Sequence, residues 1–137
     1  MRTLSILIAA AALGAAAPAL AASPLGGWKT PTGTVELYNC GAQMCGKVTG
    51  GPKISANPDL RDAKNKNEAL RGRKLMGLVF LTGFSGGPKE WTGGKIYNPD
   101  DGNTYQGTIT LVDDHTLHLR GCVVFPLCKT QTWTRLK

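Results

Sequence analysis

The sequence is poor in charged and aromatic residues, and it has no long hydrophobic run beyond its first 21 residues. Only 18% of the 137 residues are charged and only 7% are aromatic, whereas about 25% charged residues are typical of globular proteins. This composition argues against a charged disordered chain and against a helical bundle. Because a membrane-spanning helix needs about 20 apolar residues, none is predicted in the rest of the chain.

No motif of a common catalytic or cofactor site is present. The chain has no Gly-x-Ser-x-Gly nucleophile motif, no nucleotide-binding loop and no Cys-x-x-Cys pair. Its two histidines, His115 and His118, are three residues apart in a strand-like run, which places them on opposite faces. They therefore cannot share a metal ion. We predict no metal, no cofactor and no enzymatic activity.

Glycine, proline and basic residues are abundant. The 18 glycines and 8 prolines indicate a turn-rich β protein. The 16 basic and 9 acidic residues give a formal net charge of +7, which would attract anionic partners to the outer surface. Nucleic acid is not predicted as a partner, because the few aromatic residues are not interleaved with the basic ones.

The first 21 residues have the pattern of a secretion signal peptide. A charged start precedes an apolar run over residues 4–13, and Ala19-Leu20-Ala21 has the small-x-small pattern that signal peptidase cleaves. We predict cleavage after Ala21 and a single exported domain of residues 22–137, located in the periplasm or secreted. A membrane anchor is disfavoured because the apolar run is too short to span a bilayer.

The predicted mature chain contains four cysteines in two close pairs: Cys40, Cys45, Cys122 and Cys128. An even number of cysteines in a small exported domain indicates two disulfides, for which three connectivities are possible. We favour local pairing, 40 with 45 and 122 with 128, because each pair flanks a turn between strand-like runs. The spacings argue against a zinc or redox site.

Eight runs between turn signals are typical of β-strands. They cover residues 26–30, 34–40, 44–50, 74–82, 90–97, 103–112, 115–121 and 129–136. The run 74–82 is apolar on both faces, so it is predicted to need cover from the polar segment 57–73 or from another subunit. We interpret that segment as a long connection with one helical turn near residues 68–70. It is either a solvated crossover or a lid.

Eight short antiparallel strands joined mainly by hairpins favour a small all-β, up-and-down barrel, since closure removes exposed strand edges. The ends of the predicted domain support this fold. Gly26 and Trp28 open the first strand, and Trp133 and Arg135 lie in the last. This arrangement resembles the lipocalin or calycin pattern, which implies that Trp28 packs under Arg135 and closes one end of the barrel.

Several longer motifs are similar to successive blocks of a bacterial exported family, domain of unknown function 2147. They are Gly26-Gly27-Trp28, Val35 to Gly41, Cys45 to Val48, Arg71 to Gly77, Trp91 to Gly102, and Gly121 to Arg135. The resemblance covers essentially the whole predicted mature chain. It implies a periplasmic or secreted, lipocalin-like β-barrel and no assigned reaction.

Strand parity identifies candidate ligand-binding residues. If the cysteines of the last strand face outward, Lys129 and Gln131 face the barrel interior, as does Tyr105 in the sixth strand. Buried polar groups of this kind need internal partners or the head group of a ligand. The full set of predicted ligand-binding residues is Tyr105, Lys129, Gln131, Trp91, Tyr97 and Arg73, with Trp91 and Tyr97 near the rim.

Two functions of different classes fit these features. The first is a non-enzymatic binding module that holds a small hydrophobic or amphipathic molecule in a β-barrel. The alternative is a cell-envelope interaction protein whose basic outer surface binds an anionic glycan, lipid or protein. Its basic residues are concentrated in residues 64–66 and 71–74. The oligomeric state is not predicted.

Overall fold

The computed structural model of the chain describes residues 9–12, 14 and 22–137. Apart from 9–12 and 14, the predicted signal peptide, with its cleavage point after Ala21, lies outside the described residues. The strands are β1 Gly26–Lys29, β2 Thr34–Cys40, β3 Gln43–Gly50, β4 Val79–Gly86, β5 Glu90–Asn98, β6 Asn103–Asp113, β7 Thr116–Cys122 and β8 Cys128–Arg135. A short helix, α1, spans Pro52–Ala56, and a 3₁₀ turn spans Glu68–Leu70.

The eight strands form a closed antiparallel barrel in which each strand pairs with its sequence neighbours and β1 pairs with β8. The expected fold class is therefore confirmed. Because the strands alternate in direction, their connections fall at two ends. Loops 41–42, 87–89 and 114–115 lie at one end, here called the closed end. Loops 30–33, 99–102 and 123–127 and the long connection 51–78 lie at the other, here called the open end.

The barrel interior follows the alternation in the sequence. In β6, Gly107, Ile109 and Leu111 are buried, while the residues between them are more exposed. The same alternation buries Leu117 and Leu119 in β7. A strand exposes alternate residues to opposite faces, so apolar residues at every second position line the inside of the barrel.

The prediction for the fourth strand was wrong in its boundaries. The strand begins at Val79 rather than at residue 74 and continues to Gly86, so residues 74–78 belong to the connection. Within the run, Leu78 and Leu81 are buried whereas Met76 and Val79 are exposed, so burial does not alternate with a period of two. Sequence periodicity missed the boundary because the β3–β4 pairing is interrupted by register shifts, which break the period of two.

The long connection 51–78 folds back on itself and on the barrel. Its two halves pair through backbone hydrogen bonds from Asp62 N to Arg73 O and from Leu75 N to Leu60 O, each 2.9 Å. Gly102, in the β5–β6 turn, lies directly against the backbone of the connection at Lys64. The predicted helical turn is present, whereas α1 was not predicted. The connection thus covers part of the open end.

Both disulfides join local pairs, as favoured above. Cys40–Cys45 links β2 to β3 across their turn, and Cys122–Cys128 closes the β7–β8 loop. Each bridge fixes a hairpin, so each restricts the unfolded chain over only a short loop.

No helix among the described residues is long and apolar enough to cross a bilayer.

Candidate functional site

The closed end is sealed by packing around Trp28. This side chain is fully buried, and its indole nitrogen donates a hydrogen bond of 2.8 Å to the Pro24 carbonyl. The guanidinium carbon of Arg135 lies 4.3 Å from the centroid of the Trp28 ring. Arg135 also donates to the backbone carbonyls of Leu25, at 2.9 Å, and Asp114, at 2.5 Å. The arginine therefore ties together the chain ends and the β6–β7 turn.

The open end contains a cavity of about 670 Å³. Its walls come from the inner faces of the barrel strands and from the ends of the loops, and the connection contributes Leu60 and Leu75. Small-molecule sites in proteins have volumes of about 300–1,000 Å³, so this cavity is large enough for a small ligand.

The deep part of the cavity is apolar. Val35, Leu119 and Trp133 form buried surfaces there, and Phe80 packs on Trp133 with the ring centroids 6.3 Å apart. Gly121 adds no side chain to this wall, so it leaves space beside Ile96. A ligand in the cavity would meet mainly hydrocarbon and aromatic surfaces at its inner end.

Polar groups lie nearer the mouth. Lys129 and Gln131 face the cavity from β8, as strand parity predicts, and Tyr105 faces it from β6. The Gln131 carbonyl accepts a hydrogen bond of 3.0 Å from the Trp133 indole, which leaves the Gln131 amide group available as a donor. Lys129 forms no ion pair with any acidic residue in the described part of the chain. These two donors can therefore bind an acceptor group of a ligand.

Tyr105 is already engaged. Its hydroxyl donates to the carboxylate of Asp101 in the β5–β6 turn. This hydrogen bond raises the pKa of the Tyr105 hydroxyl above its usual value. Burial raises the pKa of Asp101, but the hydrogen bonds from Tyr105 and Asn103 outweigh that effect and hold it below its usual value. One side of the cavity mouth therefore consists of the neutral Tyr105 phenol beside the Asp101 carboxylate.

A buried carboxylate anchors the connection to the barrel. The Asp62 side chain is fully buried and accepts hydrogen bonds from the Tyr97 hydroxyl at 2.5 Å, the Asn65 amide at 2.9 Å and Arg73 Nε at 2.9 Å. Burial raises the pKa of Asp62, but these three donors together hold it below its usual range. Tyr97 belongs to β5, so this network fixes the connection across the open end.

The structure brings together four of the six predicted ligand-binding residues. Tyr97, Tyr105, Lys129 and Gln131 all line the cavity. Arg73 does not line it, because its guanidinium is paired with Asp62 and lies 5.3 Å from the Tyr97 ring centroid.

Trp91 also lies away from this cavity, although it was expected near the rim with Tyr97. It is buried at the closed end and lines a smaller pocket of about 240 Å³. Both residues belong to β5, but six positions at about 3.3 Å per residue separate them by about 20 Å. A position on the same strand therefore did not mean a position at the same end.

Sequence reasoning missed several cavity residues. Leu75 and Phe80 lie in the run 74–82, whose boundaries were misplaced, and Leu60 lies in segment 57–73, which was described only as polar. Leu60, an isolated leucine between Asp59 and Arg61, was the available signal in that segment. No group of three or more His, Cys, Asp or Glu residues that could hold a metal ion is found in the part of the chain that the structure describes.

Comparisons with known proteins agree with this architecture. Residues 26–135 match the family described as "Uncharacterized protein conserved in bacteria (DUF2147)". The fold is similar to that of protein HP1028 from the human pathogen Helicobacter pylori, which is described as belonging to the lipocalin family. That structure is 25% identical, with a TM-score of 0.78, and the match covers 85% of this chain and 84% of the other. None of the curated proteins matches the sequence.

Proposed function

This chain belongs to the DUF2147 family of bacterial proteins, and from its lipocalin-like barrel we propose that it is an exported, non-enzymatic binding protein for a small amphipathic molecule. The observation that carries the proposal is the cavity of about 670 Å³, which is apolar in its depth and has donors at its mouth. The apolar part of the ligand lies against Phe80 and Trp133. Its polar head group lies near Lys129 and Gln131.

The arrangement of polar groups supports binding rather than catalysis. Lys129 and Gln131 are donors, and no histidine lines the cavity. Of the carboxylates at the mouth, Asp101 accepts a hydrogen bond from Tyr105, and Asp100 forms an exposed ion pair with the Lys53 ammonium at 3.9 Å. A nucleophile activated by an adjacent base, which most covalent catalysis requires, is not formed by the residues that line the cavity.

Export is supported by the signal-like sequence and by the two disulfides. Disulfides persist mainly in oxidising compartments such as the periplasm. Both pairs are formed, and no free cysteine is found in the described part of the chain. Titration of thiols in the exported protein tests this part of the proposal, because two disulfides leave no reactive thiol.

The direct test is native mass spectrometry of the protein purified from its own host, followed by extraction of lipids and metabolites. A small molecule bound in a one-to-one ratio supports the proposal and identifies the ligand class. The recombinant protein should in addition bind cis-parinaric acid, a fluorescent fatty acid. If no molecule co-purifies and the probe does not bind, the proposal is wrong.

Filling the cavity should abolish this binding. In Gly121→Phe the new ring projects toward Ile96, whose flexible end lies 3.2 Å from the added Cβ and can move. We expect at least a tenfold loss of affinity for cis-parinaric acid with the barrel intact by circular dichroism. The matched control is Thr130→Phe, which adds the same ring to an exposed position on the outer face of β8. Equal losses in the two variants would contradict the location of the site.

The head-group assignment is tested by Lys129→Met, which removes the ammonium group and keeps most of the aliphatic chain. We expect about two- to fivefold weaker binding of cis-parinaric acid, because an exposed charge pair contributes modestly. Binding of N-phenyl-1-naphthylamine, a neutral probe, should not change. Fluorescence titrations at low salt measure both. An equal loss for both probes would show that Lys129 acts through packing rather than through its charge.

A further inference from the structure

The β7–β8 loop carries the most exposed large apolar side chains among the described residues. Val123, Val124, Phe125 and Leu127 are 66%, 62%, 78% and 66% exposed. Large apolar groups gathered on a surface mark a site of interaction, since their exposure to water is unfavourable. None of the four belongs to the hydrophobic core, and Val124 and Phe125 do not line the cavity either, so the barrel does not explain their exposure.

The loop is also preformed. The Cys122–Cys128 disulfide closes its base. Backbone hydrogen bonds from Val123 N to Leu127 O, at 3.1 Å, and from Leu127 N to Val124 O, at 2.7 Å, hold its interior. A loop ordered in this way loses little conformational entropy when it binds. Its apolar tip is thus a fixed feature of the open end.

Charge is distributed unevenly between the two ends of the barrel. The connection, the β5–β6 turn and the start of β8, all at the open end, hold eight basic and five acidic residues. The basic ones are Lys53, Arg61, Lys64, Lys66, Arg71, Arg73, Lys74 and Lys129. The closed end holds three of each sign: Lys89, Arg135 and Lys137 with Glu90, Asp113 and Asp114. The end that presents the apolar loop therefore has the positive excess.

We infer that loop 123–127 inserts into the surface of an anionic phospholipid bilayer and docks the open end of the barrel against it. Interfacial binding of this kind combines buried apolar area with attraction between basic side chains and anionic lipid. Both contributions are present at the same end. This inference goes beyond the proposed ligand and holds whether or not the cavity is filled.

A protein partner fits these observations less well. Stable protein interfaces bury about 800 Å² and about 20–30 residues on each partner, whereas this loop has five residues. A lipid surface needs no complementary shape. The position of the loop adds a consequence: Val123 and Leu127 also line the cavity, so docking would bring the cavity mouth to the lipid surface.

Fluorescence provides a site-specific test, because the native tryptophans Trp28, Trp91 and Trp133 are all buried. We expect the emission maximum of the added tryptophan in Phe125→Trp to move to shorter wavelength when phosphatidylglycerol vesicles are added. Its fluorescence should be quenched when the vesicles contain brominated lipid. In the matched control, Val112→Trp at the closed end, the added tryptophan should remain unquenched. The protein should bind vesicles of phosphatidylcholine, which has no net charge, at least tenfold more weakly than vesicles of phosphatidylglycerol.

Vesicle flotation of a serine variant completes the test. Val124→Ser combined with Phe125→Ser, two positions that do not line the cavity, should lower vesicle binding at least tenfold while leaving the thermal midpoint and cis-parinaric acid binding unchanged. The control, Val112→Ser with Leu136→Ser, removes exposed apolar groups at the closed end and should bind vesicles normally.

Three outcomes would overturn the inference. In the first, the unmodified protein binds no anionic vesicles. In the second, it binds them but the tryptophan in Phe125→Trp is not quenched, which places the contact elsewhere. In the third, sedimentation shows that the loop drives self-association without vesicle binding, so the apolar tip is an interface between two copies. Because ligand binding is measured separately, failure here is distinguishable from failure of the proposed function.

Discussion

Replacing Asp62 by alanine is expected to lower the free energy of unfolding by about 3 kcal/mol, since removing one member of a buried ionic network leaves its partners unsatisfied. The Asp62 side chain is fully buried, and Tyr97, Asn65 and Arg73 all donate to it. Arg73 is partly exposed and is hydrated when its partner is lost, so the expected cost lies at the lower end for such networks. Denaturant unfolding measures the change.

The matched control is Asp59→Ala in the same connection. Asp59 pairs with Lys74 at 3.3 Å, but both side chains are more than half exposed. An exposed ion pair contributes little, so this variant should lose less than about 1 kcal/mol. Similar losses in the two variants would contradict the anchoring role of Asp62.

The stability contributed by Asp62 should also depend on pH. Its pKa in the folded protein lies below the value in the unfolded chain, so the unfolded state binds the proton more readily. The contribution is complete above the unfolded value of about 4 and is lost as pH falls through the lower folded pKa. The stability of Asp62→Ala should therefore fall less steeply below pH 4 than that of the unmodified protein. The stability of Asp62→Ala should still fall somewhat with pH, because the pKa values of Asp101 and Asp113 are also lowered in the folded protein.

The same variant also bears on the connection as a cover of the mouth. Leu60 and Leu75 line the cavity and are paired with each other through the backbone, two residues away from the Asp62–Arg73 pairing. If the network holds them in place, Asp62→Ala should speed the release of cis-parinaric acid in stopped-flow experiments, whereas Asp59→Ala should not. Unchanged release would show that the connection is a crossover and does not limit ligand exchange.

Replacing Trp28 by alanine should cost about 4 kcal/mol, which is the largest effect of a single substitution expected here. The side chain is fully buried in the core, supports Arg135 on its ring and donates to the Pro24 carbonyl. Its loss leaves a large void and removes the surface on which Arg135 lies. Arg135 contacts chain segments on both sides of the closed end. Loss of order around Arg135 should therefore extend to the pairing between β1 and β8.

Trp28→Phe separates the contributions within this side chain. Phenylalanine keeps an aromatic ring for Arg135 and most of the packing, but it cannot donate to Pro24. We expect a loss of about 1–2 kcal/mol, from one buried hydrogen bond and a smaller ring. Thermal and denaturant unfolding of both variants provide the measurement. Equal losses would show that the hydrogen bond, rather than the packing of the ring, dominates.

Several parts of the fold were predictable because they depend on neighbouring residues. The sixth and seventh strands, predicted at 103–112 and 115–121, need no information from distant parts of the chain, and both predictions are confirmed to within one residue. The same holds for the disulfides, since each joins cysteines that flank one turn. Strand parity also placed Lys129 and Gln131 correctly on the inner face of β8.

The errors have a different origin. The start of β4 was misplaced because register shifts interrupt its pairing with β3, and no local pattern records where a partner strand bulges. Trp91 was assigned to the rim although alternation within a strand defines its face and not its height in the barrel. Arg73 was predicted to bind the ligand, but its guanidinium is paired with the carboxylate of Asp62, eleven residues earlier in the chain.

The sequence by itself determined the class of the protein: a small, disulfide-linked, antiparallel barrel, with its strands, turns and inward-facing residues. These properties follow from interactions between near neighbours, which leave a regular pattern. Only the tertiary structure decided which end is open, what volume the cavity has, and that Asp62 binds the connection to β5. It also decided that the apolar residues of 123–127 stand exposed at the mouth. These properties depend on the register and closure of strands that are distant in the chain, and alternation within a strand does not encode them.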